Sequence, residues 1–356
     1  MSERMLSAGP VAVAVPRRAG ARLALRWSAA GVLGLLLLAS VVVAVTIGAA
    51  ELRPGDVLRS IAAHVGLGTT PLDTLRDGIV WQLRLPRVLT AAAVGAGLAI
   101  AGCVMQAITR NTLADPYLLG LSGGASLGAV SVLLLGASLL LPVAAFLGAA
   151  AALVATLAIA RVGGALTPTR TVLAGVAVSS LAAALTSLVI FWTATGDSYR
   201  EILSWLLGSL AGARWPELAI AGLAVLVVGL PLLAAGRTLD AFTFGDTAAA
   251  ALGIDVARTR WLLLGATALL TGALVSVSGA IGFVGLVLPH LVRLVVGARH
   301  RLLLPLSALT GAIFLVWCDT LARSAFDPRE LPVGIVTAIV GAPVFALLLL
   351  RSGARR

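Results

Sequence analysis

GFVGLVLPHLV, residues 282–292, decides how many times this chain crosses a membrane. It trails a charge-free run, 261–289, that already holds one full helix, and only His290 interrupts the apolar stretch up to Val292. About 20 apolar residues cross the hydrocarbon core as a helix. Other charge-free runs lie at 27–50, 88–109, 116–160, 171–196, 218–236, 302–318 and 331–350. The 116–160 run is 45 residues long, room for two helices, and Gly136 and Pro142 mark the turn between them. Without a crossing at 282–292 the count is nine and the two basic termini face opposite sides. With it the count is ten. Ten crossings then place 17 arginines and 5 acids on one side, and 9 arginines and 10 acids on the other. That is the asymmetry of the positive-inside rule. The reading is an all-α, polytopic membrane protein of ten spans, both termini cytoplasmic, with a short or broken eighth span.

Composition agrees. Hydrophobic residues make up 60% of the 356-residue chain and charged residues 12%, and the mean hydropathy is +1.06, more apolar surface than a soluble core uses. All 26 basic residues are arginine. A phosphate-binding P-loop needs a lysine, so the chain is not expected to be an ATPase itself. Cys103 and Cys318 sit in or beside apolar runs. Two such cysteines imply no disulfide framework or zinc site and read as packing residues.

Residues 1–26 carry five arginines and read as a basic cytoplasmic tail. The 24 residues from Trp27 to Ala50 are too long for a signal-peptide core and read as an uncleaved first span. Residues 27–350 then form one ten-helix domain, and 351–356 a second cytoplasmic tail. The outer face receives 51–87, 197–217 and 319–330; the cytoplasmic face receives 110–115, 161–170, 237–260 and 293–301. ILSWLLGSLAGA, 202–213, is too short to cross and reads as a helix lying on the outer face or dipping into it.

The charge-free runs hold no ionisable pair of the kind ion-coupled carriers keep at mid-membrane. This lowers the carrier reading without removing it, because carbonyls at broken helices also bind sodium. His290 lacks a neighbouring His or carboxylate and reads as a helix-end histidine; His300 and His64 likewise stand outside any cluster. No metal or cofactor is called for, and nothing points to nucleic acid.

Several stretches together resemble the FecCD-type permeases of iron–siderophore and cobalamin ABC importers. They are RLPR (84–87), GAGLAIAGCVMQAITRNTLADPYLLGLSGGAS (95–126), LAGVAVSS (173–180), WLLGSL (205–210), TFGDTAAAALGID (243–255), GAIGFVGLVLPHLVR (279–293) and ELPVGIVTAIVGAPVF (330–345). Their order and spacing match that family from about residue 27 to 350. The resemblance implies a partner set: a second permease chain, identical or a paralogue, a cytoplasmic ABC ATPase dimer, an extracytoplasmic substrate-binding protein and the lipid bilayer of a bacterial inner membrane.

It also implies roles. Gly245, Asp246, Thr247, Ala248, Ala249, Ala250, Ala251, Leu252 and Gly253 would form the coupling helix that docks on the ATPase. Asp246 or Thr247 suits an N-cap, small alanines permit close approach, and Gly253 suits a left-handed end. The family often has Glu where this chain has Asp246. In RNTLADP, 110–116, Asn111 and Asp115 would hold a tight turn and Pro116 would open the third span. Arg84, Arg87 and Arg323 would receive glutamates of the binding protein, because the guanidinium fork pairs carboxylates bidentately; holding lipid headgroups is the alternative, and Asp319, Asp327, Arg329 and Glu330 could pair among themselves. Within LTPTR (166–170), Thr167, Pro168 and Thr169 would form the cytoplasmic gate, and Ser179, Ser180, Thr186 and Ser187 would line the pathway, unless these hydroxyls serve helix packing. GAGLAIAG (95–102) and GALVSVSG (272–279) form a weak internal repeat that fits inverted halves. The expected cargo is a ferric siderophore, with haem and cobalamin open; an ion-coupled secondary carrier is the alternative of another class.

Overall fold

The computed structural model describes residues 18–353 except 49, 68–71, 138–139, 163–166, 194–195, 197 and 327–328. Most of the basic tail, Leu166 of the gate motif, Asp327 and residues 354–356 lie outside the described residues.

The chain opens with α1 (Arg18–Thr46) and two short helices, α2 (Pro54–His64) and α3 (Thr74–Gly78). α3 runs on through a π-helical stretch, Ile79–Arg84, into α4 (Leu85–Thr109). A 3-10 turn, Pro116–Leu119, leads to α5 (Leu121–Leu134), α6 (Leu141–Arg161) and α7 (Pro168–Thr193). After the short α8 (Ser198–Leu206), α9 (Trp215–Ala224), a π stretch (Val225–Gly229) and α10 (Leu230–Ala234) form one rod. Two small helices, α11 (Gly236–Thr243) and α12 (Asp246–Ala251), precede α13 (Val256–Ser278), α14 (Val284–Val296), α15 (His300–Ser324) and α16 (Val333–Gly353). No strand occurs among the described residues.

Seven of these rods are long and apolar enough to cross a bilayer, and three shorter apolar helices, Leu121–Leu134, Val284–Val296 and Val333–Leu348, fill the third, eighth and tenth places. Ten spans are therefore present in the expected order. The first helix begins at Arg18 rather than Trp27, and the last continues to Gly353, so both reach into the segments read as tails. Residues 51–87 are largely helical. They hold α2 and the first 14 residues, Thr74–Arg87, of a helical run that is continuous to Thr109.

The eighth span is short because the chain unwinds at 279–283. Gly279 (φ 65) ends α13 and Phe283 (φ 69) starts α14, both left-handed, a strained state for a phenylalanine. Unwound backbone at membrane depth must find partners inside the protein. Tyr117 supplies two: its hydroxyl accepts from Ile281 N at 3.1 Å and donates to Ile281 O at 3.0 Å. Ser209 N donates to Ser278 O at 2.9 Å. The expected helix over 202–213 is therefore misplaced. The helix is α8, and Gly208 (φ 77) stops it so that 207–214 can run irregularly into the break. A Cβ at Gly279 would sit 2.2 Å from Trp205 O, and Gly334 N bonds Gly208 O, so three segments meet there with no side chain between them.

Helices pack where glycines let backbones touch. A Cβ on Gly95 would lie 2.2 Å from Gly311 O, one on Gly102 1.9 Å from Gly285 O, and one on Gly124 2.3 Å from Gly148 O. The pairings carry a symmetry. α4 packs on α14 and α15, while α13 packs on α5 and α6; α1 packs on α4, and α9 on α13. Exchanging spans one to five with six to ten maps one set onto the other. Five spans per half is odd, so the halves run in opposite senses, and the repeat at 95–102 and 272–279 falls on the equivalent helices α4 and α13.

The connections gather as charge sorts them. At one end Arg87 bonds Asp319 and Glu330, and Trp215 donates to Trp81 O at 3.0 Å. This joins 51–87, 197–217 and 319–330, the segments assigned to the outside. At the other end Asp240 bonds His300 and Arg161 lies over Trp261, joining segments assigned to the cytoplasm. We refer to these as the outer and inner ends.

Candidate functional site

At the inner end α11 and α12 form a ledge. α12 starts at Gly245, whose φ of 99 only glycine adopts at ease. No side chain caps it, so neither Asp246 nor Thr247 is the N-cap the sequence suggested. Asp246 instead lies inside the helix and accepts from Arg260 Nη2 at 2.7 Å, and Arg260 lies over the Phe242 ring. The ion pair with α13 took the carboxylate, and the glycine took the turn. The far end follows expectation: Gly253 is left-handed (φ 81), with Gly253 N bonded to Ala250 O and Ile254 N to Ala249 O. Ala249 packs inward; Thr247, Ala250 and Ala251 are exposed and Ala248 is half-buried. Two large apolar side chains flank the helix in the open, Phe244 at 79% exposure and Leu252 at 70%. They lie beside charged loops, not in a lipid-facing run of helix.

The 110–116 loop supports the ledge. Arg110 is left-handed (φ 51) and its Nη1 approaches Gly245. Asn111 Oδ1 accepts from Leu113 N at 2.9 Å and Asp115 Oδ1 from Tyr117 N at 2.8 Å, the tight turns expected. Pro116 opens the 3-10 turn, and α5 itself begins at Leu121 after the left-handed Gly120. Burial, only partly offset by the Tyr117 N–H, pushes the Asp115 carboxyl up to about 6. An acid raised in this way contributes stability that is complete below its ordinary 3.8 and is lost as pH rises through about 6. Asp115→Asn keeps the capping oxygen and cannot ionise. It should stabilise the protein by about 1 kcal/mol above neutral pH, a figure discounted for partial exposure. Thermal melts in detergent should show the gain at about pH 8 and none at about pH 4.

The triplet expected to form the gate, Thr167 to Thr169, lies at the start of α7. Thr167 Oγ1 accepts from Arg170 N at 3.3 Å and Thr167 O from Thr171 N, with Pro168 in the first turn. Thr167 and Thr169 are exposed. Along α7 the four hydroxyls separate. Ser180 and Ser187, seven apart, share an open face with Leu173, Val176 and Phe191. Thr186 is buried and donates to Ala182 O, and half-buried Ser179 packs on Gly123 of α5.

The outer end holds a pocket of about 380 Å³ lined by Arg84, Arg87, Arg214, Arg323 and Glu330. Its arginines are already engaged. Arg84 donates to Val45 O, Thr46 O and Ala50 O at 3.0–3.2 Å. Arg323 donates to Ile47 O and Ala44 O. Both close the carbonyl end of α1, where cations belong. Arg87 reaches Asp319 through Nε and Nη2 at 2.9–3.1 Å, and Glu330 through Nη1 at 2.8 Å. Asp319 is buried, while Glu330 is 45% exposed at the pocket mouth. His64 stacks on Trp81, which touches Trp215, and these brace the same end.

Sequence reasoning missed Asp240 and Tyr117, and it read His300 as standing alone where Asp240 in fact holds it. Their partners lie 60 and 164 positions away, and no local pattern reports such a pair.

The chain matches the FecCD transport family over residues 36–351. The cobalamin import system permease protein BtuC of Halobacterium salinarum is 42% identical, over 94% of this chain and 98% of its own. The Fe(3+) dicitrate transport system permease protein FecD of Escherichia coli is 45% identical, over 77% of this chain and 85% of its own. A solved metal-chelate type ABC transporter in an inward-facing conformation superposes with a TM-score of 0.79 at 33% identity, covering 90% of this chain and 98% of that one. A ten-span helical bundle with a ledge of small helices at its inner end, matched along nearly its whole length, belongs to the FecCD transport family and is a multi-pass permease of the ABC importer type.

Proposed function

We propose that two permease chains, identical or paralogous, form the pathway for a pre-chelated metal complex, foremost a ferric siderophore. An extracytoplasmic binding protein delivers it at the outer arginine pocket, and a separate ATPase dimer on the inner ledge drives alternating access. The observation that carries this reading is the ledge itself: a short helix, Asp246–Ala251, presented with Phe244 and Leu252 exposed on either side. The open face of α7 supports it, because Ser180, Ser187 and small apolar groups offer a chelate weak, uncharged contacts. Thr167, Pro168 and Thr169 stand at the inner end of that face and act as its gate. A second reading, a corrinoid cargo, is favoured by the relative named for cobalamin import; haem is a third cargo of the same class. Selectivity lies mainly in the binding protein, because the α7 face carries no charge beyond Arg170 in its first turn.

The test is reconstitution in liposomes with the ATPase and binding protein, and ATP-dependent uptake of ferric siderophores, haem and cobalamin measured in parallel. Uptake of one ligand is expected. Asp246→Arg, which sets two guanidiniums against each other at Arg260, should cut it at least tenfold. Uptake that persists without ATP and collapses with an ion gradient would instead restore the secondary-carrier reading.

A further inference from the structure

α15 is tied at both ends. Its inner end has no cap of its own. Asp240 of α11 supplies one: a single oxygen, Oδ1, accepts from both His300 N and His300 Nδ1 at 2.8 Å. His300 is 1% exposed. Gly236, at the start of α11, lies against the backbone of Arg301, where a Cβ would be 2.9 Å from Arg301 N. So α11 rests on the first turn of α15 at two points, and α11 passes directly into α12 through Phe244 and Gly245. At the outer end α15 supplies Asp319, held by Arg87, and Arg323, bonded to the end of α1. Leu331 N bonds Ala322 O, which fixes the entry to α16. Between its ends α15 is 25 residues long, about 37 Å at 1.5 Å per residue, and lies against α4 without a side chain between Gly95 and Gly311.

We infer that α15 is the strut that couples the outer arginine pocket to the inner ledge, with Asp240 and His300 as the residues that position the ledge on it. The inference rests on the proposed role of α12 as the ATPase-facing helix. Packed, rigid secondary elements carry coupling between distant sites, and the one helical bond that Pro305 removes from α15 falls in its first turns, where α11 already braces it. When the ledge is displaced, the two bonds through Asp240 carry the displacement into α15, and Asp319 and Arg323 shift with it. The reverse path serves a partner seated at the outer pocket. Without the Asp240 bonds α11 keeps its helix and its link to α12 but loses its polar hold on α15.

The assay uses the full complex of permease, ATPase and binding protein in lipid nanodiscs. ATP hydrolysis is read against binding-protein concentration. Asp240→Ala should lower the maximal stimulation, relative to its own basal hydrolysis, at least fivefold at an unchanged half-saturating binding-protein concentration. Asp240→Asn retains an acceptor oxygen at the same place and should restore most of it. His300→Leu keeps the backbone bond and loses only the ring bond, so an intermediate loss is expected; it also serves if Asp240→Ala does not assemble. Wild-type stimulation in Asp240→Ala, or equal losses in the Ala and Asn variants, would overturn the strut. Leu252→Glu separates this from failure of the underlying reading. If the ATPase still co-purifies with Leu252→Glu, the ledge is not its seat. If the ATPase is lost there while Asp240→Ala couples normally, the ledge stands and the strut does not.

Discussion

Arg87→Glu is expected to cost the protein its fold before it costs it a partner. The guanidinium is buried against Asp319, with three of its contacts on that carboxylate and a fourth on Glu330. Removing one member of a buried pair destabilises by about 3–5 kcal/mol, because the other charge is left unpaired. Reversal is worse, since it places three carboxylates together. Detergent-solubilised Arg87→Glu should elute as aggregate, and the swap Arg87→Glu with Asp319→Arg should recover part of the folded yield. A test of binding-protein docking by reversing Arg84 and Arg87 is therefore confounded. Glu330 offers a cleaner one. It is half exposed and holds only the outward Nη1 of Arg87. Glu330→Gln should leave the melt unchanged and tighten association with an acidic partner severalfold at low salt, an effect that added salt removes. Unchanged association would argue that the partner does not use this pocket.

The second large effect lies at the helix crossings. Gly102→Val should prevent folding, since its first side-chain atom would sit 1.9 Å from Gly285 O, a backbone atom that cannot swing aside. Overpacking by one or two methylenes costs about 1–3 kcal/mol when neighbours can shift; here α4 and α14 must separate, and more than that range is expected. Gly265→Ala on α13 is the control, because nothing lies within 4 Å of its added atom. Folded yield and melting temperature measured side by side should separate the two clearly. Equal melts would mean that the α4–α14 crossing has slack.

The ten spans were legible because a bilayer imposes one length and one polarity on every crossing, and charge orders the connections. Even the broken eighth span showed itself, as a leftover too short for a second helix. What stayed hidden were choices between partners far apart in sequence. Asp246 had the right chemistry for a cap, yet Arg260, fourteen positions on, claimed it. Arg87 read as free for a partner because Asp319 lies 232 positions away. Thr186 read like Ser187, although one helical step turns it from the open face to the packed one. The short outer helices were invisible to a search for charge-free runs, since α2 and α3 carry charge throughout.

The two cysteines are free, Cys103 fully buried and Cys318 only 6% exposed, and the chain has no lysine. To the common reagents of protein chemistry its side chains are therefore nearly silent. Amine-directed cross-linkers find no side chain to attack, so any amine cross-link captured in the complex must start from a partner or from the chain's own first residue. A single cysteine introduced at Leu252 or Phe244 would be the one readily accessible thiol, a built-in blank background for watching that surface become covered and uncovered during turnover.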